Sequence, residues 1–501
     1  MKLIDLIKNL DYELYNGSTD IEITELVYDS RKVVKGCVFV CVKGTVFDGH
    51  EYINQAIEKG AAAVITQEKA EITEKRSNTV FINSKDCRNT LAVTSKAFFN
   101  NPDEELFTIG ITGTKGKTTT AFMVKKILES CGYKTGLIGT IEIDTGKRVI
   151  ESTNTTPESY DVFKYFREMA DNGSRCVVME VSSQALMMKR CSGIMFDIGV
   201  FTNLEPDHIG PNEHASLEEY LACKAMLFRQ CKTGIFNADD EHFEEILKGH
   251  TCKVETYGVN KVPEAIMKNQ NILRHFRAMN IEYIHTPGHI STEYDVEECN
   301  DMHIVTSLPG IFTVYNSLCA IAITSHLDVE KKHLKEALAN VSVKGRVEPV
   351  KVSDKFILMI DYAHNAMSLK SILTTLREYN PKRIVSLFGC GGNRSKLRRY
   401  EMGEISGKYA DFTIITSDNP RDEEPLDIIA DIKGSIEKTG GEFVTIPDRK
   451  EAIKYAIVNA KEGDIIVLAG KGHETYQEIK GVKYPMDERI LIKEILSELN
   501  V

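Results

Sequence analysis

The most restrictive feature of this sequence is a regular alternation of apolar segments and helical patterns in its last third. From Arg346 onward there are five strand-like runs, FILMIDYA, RIVSLFGC, FTIITS, EFVTI and DIIVLAG. Patterns with helical spacing, such as SLKSILTTLREY and LDIIADIKGSIEK, separate them. This alternation predicts a parallel, doubly wound sheet. We therefore expect an α/β protein with a Rossmann-like C-terminal part.

Short polar segments follow four of these runs. They are DYAH (361–364), GCGGNR (389–394), SDNPR (417–421) and GKGHE (470–474). In open parallel sheets, ligands bind outside the carboxyl ends of the strands. The four segments therefore predict one binding edge.

A glycine-rich loop connects the apolar run LFTIGIT with the helical pattern AFMVKKILES. Gly113 and Gly116 would let backbone N–H groups approach phosphate oxygens, and the following helix N-terminus adds a positive dipole. Lys117 would reach the β- and γ-phosphates of a nucleotide, and Thr118 would offer its hydroxyl to Mg²⁺. The spacing departs from the strict phosphate-loop pattern, because an isoleucine stands at the position of the first glycine. The alternative is an ordinary glycine-rich turn before a helix.

Carboxylate and histidine side chains follow two other apolar runs. Glu180 ends the run RCVVME and is the expected second anchor for Mg²⁺ beside a phosphate loop. An ordinary solvated glutamate is the alternative. The segment TNLEPDHIG (202–210) offers Asn203, Asp207 and His208, although an Asp-His pair alone is equally compatible with a turn.

Lys224 lies in an unusual position for a lysine. Ser216 and Glu219 form a capping box that predicts a helix start. Lys224 then falls in the apolar stripe with Leu221 and Phe228. Burial would favour the neutral amine, which can act as a base or be covalently modified. A lysine that extends from the edge of the stripe to solvent is the alternative.

Length and composition limit the class of protein. The 501 residues suggest about three domains, and the cluster FFNNPDEEL marks a linker near residue 100. The 62 basic and 73 acidic residues give a net charge of −11 without a basic block, which argues against nucleic-acid binding. No apolar run is long enough for a membrane span. Twelve scattered cysteines and an N-terminus without a signal-peptide core predict a cytoplasmic protein, for which a monomer is the default expectation.

The ordered set of motifs resembles the ATP-dependent Mur ligases. TGTKGKTTT, TNTTP, MEVSSQAL, NADDE, VYNSL, KGRVE and DYAH occur in the family's order. FGCGGNR, DNPR and GKGHE resemble the members that add the third amino acid of the peptidoglycan peptide. The resemblance covers nearly the whole chain, and residues 28–64 resemble the uridine-nucleotide-binding domain of those members.

The resemblance implies three domains and a reaction. Residues 1–104 would form a small α/β domain that binds the UDP substrate, residues 105–345 a P-loop ATPase-like domain, and residues 346–501 a Rossmann-like acceptor domain. The implied enzyme uses ATP and Mg²⁺ to join meso-diaminopimelate to UDP-N-acetylmuramoyl-L-alanyl-D-glutamate through an acyl phosphate. This is a step of cell-wall biogenesis, on which cell shape and division depend. The alternatives are L-lysine as acceptor, a ligase like folylpolyglutamate synthase, and a non-catalytic ATP-binding scaffold.

The resemblance also assigns roles to individual residues. The implied catalytic residues are Lys117, Glu180, His208 and Lys224. The implied Mg²⁺ ligands are Thr118, Glu180, His208 and a carbamate on Lys224. The implied ATP contacts are Gly113, Thr114, Lys115, Gly116, Lys117, Thr118, Thr119, Asn316, Arg346 and Asp361. The implied contacts to the UDP substrate are Ser30, Thr155, Thr156, Ser182 and Arg190, and those to the acceptor amino acid are Arg394, Asp418, Asn419, Arg421, Gly470 and Glu474.

Two regions of the sequence point to different acceptors. DNPR with GKGHE is the diaminopimelate pattern, in which Arg421 would bind the carboxylate of the second amino-acid head and Glu474 the ammonium. TKGKTT, SSQAL with Gln184, and DHIGPNEH instead resemble lysine-adding relatives. Since the C-terminal segments form the acceptor pocket of the family, we expect diaminopimelate.

Overall fold

The computed structural model describes residues 1–44, 47–71, 73, 78–207, 209–210, 213–299 and 302–499. The chain forms two compact units. The first consists of Met1–Tyr257 and Val262–His275, and the second consists of Gly258–Lys261 and the chain from Phe276 onward.

The first unit begins with a small sheet and its helices. Its strands are β1 (Tyr12–Asn16), β2 (Leu26–Val27), β3 (Val38–Val40), β4 (Ala63–Thr66) and β5 (Val80–Ser84). Its helices are α1 (Leu3–Ile7), α2 (Ile53–Glu58) and α3 (Cys87–Phe98). The strand order is β1-β5-β4-β3-β2, and only β1 runs antiparallel to its neighbour. Apolar side chains on both faces are buried, so this part has its own core.

A larger sheet forms the remainder of the first unit. Its strands are β6 (Phe107–Thr112), β7 (Thr135–Ile138), β8 (Glu142–Asp144), β9 (Val149–Glu151), β10 (Cys176–Glu180), β11 (Phe196–Phe201), β12 (Cys231–Asn237) and β13 (Lys253–Gly258). The helices are α4 (Lys117–Ser130), α5 (Ser159–Asp171), α6 (Ser183–Met187), α7 (Leu217–Ala225), α8 (Phe243–Ile246) and α9 (Glu264–Asn269). The order is β13-β12-β11-β6-β10-β7-β8-β9, and the strands from β13 to β7 are parallel. The central position of β6 brings the ends of β10 and β11 to either side of the loop that follows it.

The second unit begins with an antiparallel hairpin. Strand β14 (Ile272–Thr286) starts in the first unit and pairs with β15 (His289–Val296), which pairs with β16 (Met302–Thr306). Helices α10 (Ile311–Thr324) and α11 (Lys331–Ala339) follow.

The C-terminal sheet confirms the predicted alternation. Its strands are β17 (Glu348–Val350), β18 (Ile357–Asp361), β19 (Arg383–Phe388), β20 (Phe412–Ile415), β21 (Phe443–Thr445) and β22 (Asp464–Ala469). The helices are α12 (Ala366–Arg377), α13 (Lys396–Tyr409), α14 (Pro425–Thr439), α15 (Arg449–Val458) and α16 (Glu488–Leu499). The order is β17-β18-β22-β19-β20-β21, with all strands parallel except β17. A two-stranded hairpin, β23 (Tyr476–Ile479) and β24 (Val482–Pro485), lies between β22 and α16.

The strand order places the four polar segments at one edge of the sheet, as predicted. Strands β18, β22, β19 and β20 are consecutive neighbours, and each is followed by one of the four polar segments. Apolar side chains fill both faces of this sheet, so the polar groups are confined to its edge.

Among the residues that the structure describes, no helix is both long and apolar enough to cross a bilayer. Eleven cysteines of this described part are free thiols, and all of them except Cys131 are buried.

Candidate active site

The predicted glycine-rich loop lies between β6 and α4. Gly113 has φ +147°, and a Cβ on it would lie 1.9 Å from Oγ1 of Thr202, so the loop passes too close to β11 for any side chain. Gly116 has φ +84° and directly precedes α4. Both conformations favour glycine. The N–H groups at the start of α4 thus face a tight turn, which is the arrangement that binds phosphate.

The two lysines of the loop have different partners. The Nζ of Lys117 donates to the carbonyl oxygens of Gly113 and Thr114 at 2.8 and 3.0 Å. Lys115 pairs with Glu205 at 2.5 Å, and its backbone N–H donates to Oδ1 of Asn203 at 2.8 Å. Lys117 therefore lies against the loop itself, whereas Lys115 ties the loop to the segment after β11.

Glu180 ends β10 as a fully buried carboxylate. It accepts hydrogen bonds from the hydroxyls of Thr118 and Thr140 at 2.9 and 3.0 Å, and from the backbone N–H of Thr140 at 2.9 Å. The predicted pairing of the loop threonine with this carboxylate is present. One carboxylate and two hydroxyls are hard oxygen ligands, so this group fits Mg²⁺ that also binds phosphate oxygens.

Lys224 is buried, as its position in the apolar stripe predicts. It lies in α7, where Ser216 caps the helix by accepting from the N–H of Glu219 at 3.3 Å. Its Nζ donates to the carbonyl of Gly113 at 3.0 Å. Its side chain is 1% exposed, and burial, together with the nearby charge of Lys117, holds the pKa of Lys224 well below its ordinary value. Burial thus favours the neutral amine of Lys224 beside the glycine-rich loop.

Tyr220 packs against Lys224, and His214 packs against Tyr220 with ring centroids 5.1 Å apart; neither residue was predicted. The ring centroid of Tyr220 lies 4.1 Å from Nζ of Lys224, and the Tyr220 hydroxyl lies 3.2 Å from Oγ1 of Thr114. His214 is fully buried, with Nε2 2.8 Å from the hydroxyl of Ser183. The predicted ligand His208 lies outside the described residues.

Four residues assigned to the UDP substrate lie together next to Glu180. The Thr156 hydroxyl donates to the carbonyl of Glu180 at 2.8 Å and accepts from the N–H of Ser182 at 3.1 Å. Arg190 donates to the carbonyl of Thr156 at 3.0 Å, and the hydroxyls of Thr140 and Thr155 are 3.1 Å apart. The fifth residue, Ser30, begins a short 3-10 turn in the N-terminal part, where its carbonyl accepts from Lys59 at 2.8 Å.

The second unit holds the remaining residues assigned to ATP. Asp361 ends β18 and accepts from the N–H groups of Val347 and Ala363, each at 2.8 Å. Burial raises the pKa of Asp361 above its ordinary value. The Arg346 guanidinium lies 5.0 Å from the ring centroid of Tyr362, and Asn316 lies on α10.

A compact charged group follows β20 and β22. Asn419 donates from Nδ2 to Oε2 of Glu474 at 2.9 Å. Lys471, fully buried, donates to Oδ1 of Asn419 at 3.0 Å and to Oε2 of Glu474 at 2.8 Å, and lies 3.7 Å from Oδ1 of Asp418. A Cβ on Gly470 would lie 3.0 Å from Oδ2 of Asp418, so the two loops pack closely. Lys471 lies within GKGHE but was not among the predicted acceptor residues.

Two further cationic residues, Arg421 and Arg394, lie on the loops that follow β20 and β19. Nε of Arg421 donates to Oε2 of Glu478 at 3.1 Å, and Nη1 donates to the carbonyl of Gly392 at 2.8 Å. Arg394 is exposed on the neighbouring loop. Separated cationic and anionic groups at one sheet edge can bind both charges of an amino acid.

A buried arginine beneath these loops fixes their starting points. Arg449 donates to the carbonyls of Ser417 at 3.2 Å and Ala469 at 3.0 Å, and it pairs with Glu488, which is also buried, at 2.8 Å. Ser417 and Ala469 directly precede Asp418 and Gly470, the first predicted acceptor residues of the two loops.

Family models match three consecutive stretches of the chain. Residues 22–118 match the model "Mur ligase family, catalytic domain", residues 111–324 the "Mur ligase middle domain", and residues 345–472 the "Mur ligase, glutamate ligase domain". A relative from Caldanaerobacter subterraneus subsp. tengcongensis is 42% identical over 499 residues, covering 99% of each chain. The chain belongs to the Mur ligase family.

Two relatives and one solved structure carry the same name. The protein from C. subterraneus and one from Clostridium perfringens, 41% identical over 99% of each chain, are UDP-N-acetylmuramoyl-L-alanyl-D-glutamate–2,6-diaminopimelate ligases. A solved structure of a ligase with that name matches this chain with a TM-score of 0.74 and 25% identity, over 100% of this chain and 99% of the other. This Mur ligase thus shares its fold along its full length with a diaminopimelate ligase.

Proposed function

We propose that this Mur ligase joins meso-2,6-diaminopimelate to UDP-N-acetylmuramoyl-L-alanyl-D-glutamate and converts ATP to ADP and phosphate. The observation that carries the proposal is the charged group at the C-terminal sheet edge, where Asn419 and Lys471 both donate to Glu474 and Arg421 follows in the same loop as Asn419. Full-length relatives with that activity in their names, at 36 to 42% identity, support it.

The first half of the reaction transfers a phosphoryl group. The γ-phosphorus–oxygen bond of ATP breaks, and a new bond forms to the side-chain carboxylate of the D-glutamyl residue. Positioning and charge neutralisation dominate such a transfer. Lys117 and the N–H groups at the start of α4 hold the phosphates, while Thr155, Thr156, Ser182 and Arg190 hold the peptide.

Bound Mg²⁺ would neutralise phosphate charge at this site. Thr118 and Glu180 are the residues that would hold one ion, since their oxygens already lie 2.9 Å apart. We further propose that His208 and a carbamate on Lys224 hold a second ion. The carbamate would supply oxygen ligands where an ammonium would repel a cation.

The second half of the reaction forms the amide. The amine nitrogen of the acceptor attacks the acyl-phosphate carbon, the tetrahedral intermediate loses phosphate, and the nitrogen loses a proton. Arg394, Asp418, Asn419, Arg421, Gly470 and Glu474 would bind the acceptor. Asn316, Arg346 and Asp361 remain proposed ATP contacts, and Ser30 a proposed contact of the uridine nucleotide.

The three-domain division at residues 1–104, 105–345 and 346–501 is part of the proposal. The stretches matched by the three family models support it. We place the enzyme in the cytoplasm, because free cysteine thiols are typical of a reducing compartment.

The decisive assay measures phosphate release by purified protein with UDP-N-acetylmuramoyl-L-alanyl-D-glutamate, ATP and Mg²⁺. Meso-diaminopimelate and L-lysine are compared as acceptors. We expect turnover with diaminopimelate. Turnover with L-lysine alone would assign the lysine-adding activity instead, and no turnover with either would contradict the ligase proposal.

A further inference from the structure

Two protein groups hold the guanidinium of Arg421 from different sides. Nε donates to Glu478 at 3.1 Å and Nη1 donates to the carbonyl of Gly392 at 2.8 Å. Within the part of the chain that the structure describes, no protein group accepts from Nη2. The five N–H donors of a guanidinium lie in one plane, so these two contacts fix that plane. The two N–H groups of Nη2 remain for a ligand.

The main chain fixes the position of Glu478. The N–H of Arg421 donates to the carbonyl of Glu478 at 3.0 Å, and the N–H of Lys480 donates to the carbonyl of Arg421 at 2.8 Å. The N–H of Glu478 also donates to Oδ1 of Asn419 at 2.9 Å. The hairpin β23–β24 is therefore attached to the loop that carries both Asn419 and Arg421.

The backbone of Arg421 depends on this attachment. Its φ of +51° lies in the left-handed region, which costs a residue with a side chain roughly 1–2 kcal/mol. Such a conformation persists when surrounding contacts impose it. The hairpin supplies both backbone contacts of Arg421 given above, so backbone and side chain of this arginine are fixed by the same element.

We propose that Glu478 is a positioning residue that determines which diamino acid the enzyme accepts. It holds the Arg421 guanidinium so that Nη2 binds the distal carboxylate of a diamino dicarboxylic acid. A free arginine side chain would lose rotamer freedom on binding, and a fixed one has already lost it. A diamino acid without the distal carboxylate gains nothing from this arrangement. The inference rests on the proposed function.

The test compares Glu478→Ala and Glu478→Gln with wild-type protein in steady-state assays. For Glu478→Ala we expect KM for meso-diaminopimelate to rise about tenfold, as for loss of one charge-assisted hydrogen bond. The values of kcat and of KM for ATP and for the UDP substrate should stay the same. Glu478→Gln keeps an oxygen that can accept from Nε of Arg421. Its KM for meso-diaminopimelate should therefore lie between those of wild type and Glu478→Ala. The preference for diaminopimelate over L-lysine should be highest in wild type, lower in Glu478→Gln and lowest in Glu478→Ala.

A second test, in the Arg421→Ala variant, distinguishes a positioning role of Glu478 from a general loss of local structure. In Arg421→Ala protein, adding Glu478→Ala should raise KM for diaminopimelate no further, because Glu478 acts through Arg421. Val482→Thr, at an exposed position of the same hairpin, is the matched control and should behave as wild type.

Three results would overturn the inference alone. They are an unchanged KM for diaminopimelate in Glu478→Ala, an equal rise in KM for all three substrates, and a full additional loss in the Arg421→Ala background. A wild-type protein that does not turn over diaminopimelate would overturn the proposed function, and this inference with it.

Discussion

At the scale of single residues, the first unit buries two ionisable side chains next to its phosphate loop. Glu180 is fully buried and has three hydrogen bonds from Thr118 and Thr140. Lys224 is buried against Tyr220 and donates to the loop carbonyl of Gly113. A buried carboxylate without partners would be strongly destabilising. The contacts of Glu180 therefore explain how this carboxylate can remain at the site.

Thr140→Ala should impair use of Mg²⁺. The substitution removes one hydroxyl hydrogen bond to the Glu180 carboxylate, a bond worth about 1.5–3 kcal/mol. We expect the Mg²⁺ concentration for half-maximal phosphate release to rise about tenfold or more. Thr140→Ser, which keeps the hydroxyl, is the control. Equal Mg²⁺ dependence in Thr140→Ala and wild type would show that this hydroxyl does not position Glu180.

Lys224 should carry a carbamate whose amount depends on pH. The neutral amine reacts with CO₂, and the lowered pKa of Lys224 makes more of the neutral form available at a given pH than in an ordinary lysine. In NMR spectra with ¹³C-bicarbonate we expect a carbamate signal that Lys224→Gln abolishes and Lys232→Gln, at an exposed lysine, retains. As the pH falls through the lowered pKa, the amine becomes protonated and the signal should weaken. A signal that survives in Lys224→Gln would refute the assignment.

How far single residues could be predicted depends on where their partners lie in the chain. The burial of Lys224 follows from its helical spacing with neighbouring apolar residues. Thr140 and Lys471 were missed because their roles arise from contacts with segments distant in sequence. Thr140 precedes Glu180 by 40 residues, and Lys471 follows Asn419 by 52.

At the scale of elements, periodicity predicted the C-terminal strands and helices and the strand–loop–helix that contains Gly113. Strand order could not be predicted in this way, because each parallel connection leaves open where the next strand is inserted. The position of β6 between β10 and β11, which places Glu180 and Thr202 beside the loop, is visible only in the structure. The hairpin β23–β24 was not predicted either, since its role comes from contacts with residues 418–421.

Gly113→Ala should abolish ATP binding. The new Cβ would lie 1.9 Å from Oγ1 of Thr202, so the loop or the Thr202 side chain must move. Gly132→Ala is the control, because that Cβ would meet nothing within 4 Å although its φ of +81° is equally unfavourable for alanine. We expect calorimetry to detect no ATP binding for Gly113→Ala. Gly132→Ala should bind ATP normally and be about 1 kcal/mol less stable to unfolding. Normal ATP affinity of Gly113→Ala would contradict the close approach.

At the scale of the whole molecule, the residues assigned to the substrates fall into separate compact units. Those for the UDP substrate belong to the first unit, and those for the acceptor to the second. Contacts within each unit order the two sets independently.

Hydrogen exchange should therefore report each substrate in its own unit. UDP-N-acetylmuramoyl-L-alanyl-D-glutamate should protect backbone amides around residues 155–182, because it orders groups of the first unit. Meso-diaminopimelate alone should protect residues 418–421 and 476–485. Exchange followed by mass spectrometry measures both, with L-alanine as a control that lacks a second amino-acid head. Protection by diaminopimelate confined to the first unit would place the acceptor site elsewhere.

Arg449 has a consequence for how an enzyme of this kind could change its acceptor. It holds the strand ends before both acceptor loops through backbone carbonyls, those of Ser417 and Ala469, rather than through their side chains. Every amino acid supplies such a carbonyl, so mutation at positions 417 and 469 preserves these two contacts. The two loops could therefore change in sequence during evolution, and with them the amino acid that the enzyme adds. The contacts of Arg449 with the strand ends would stay the same.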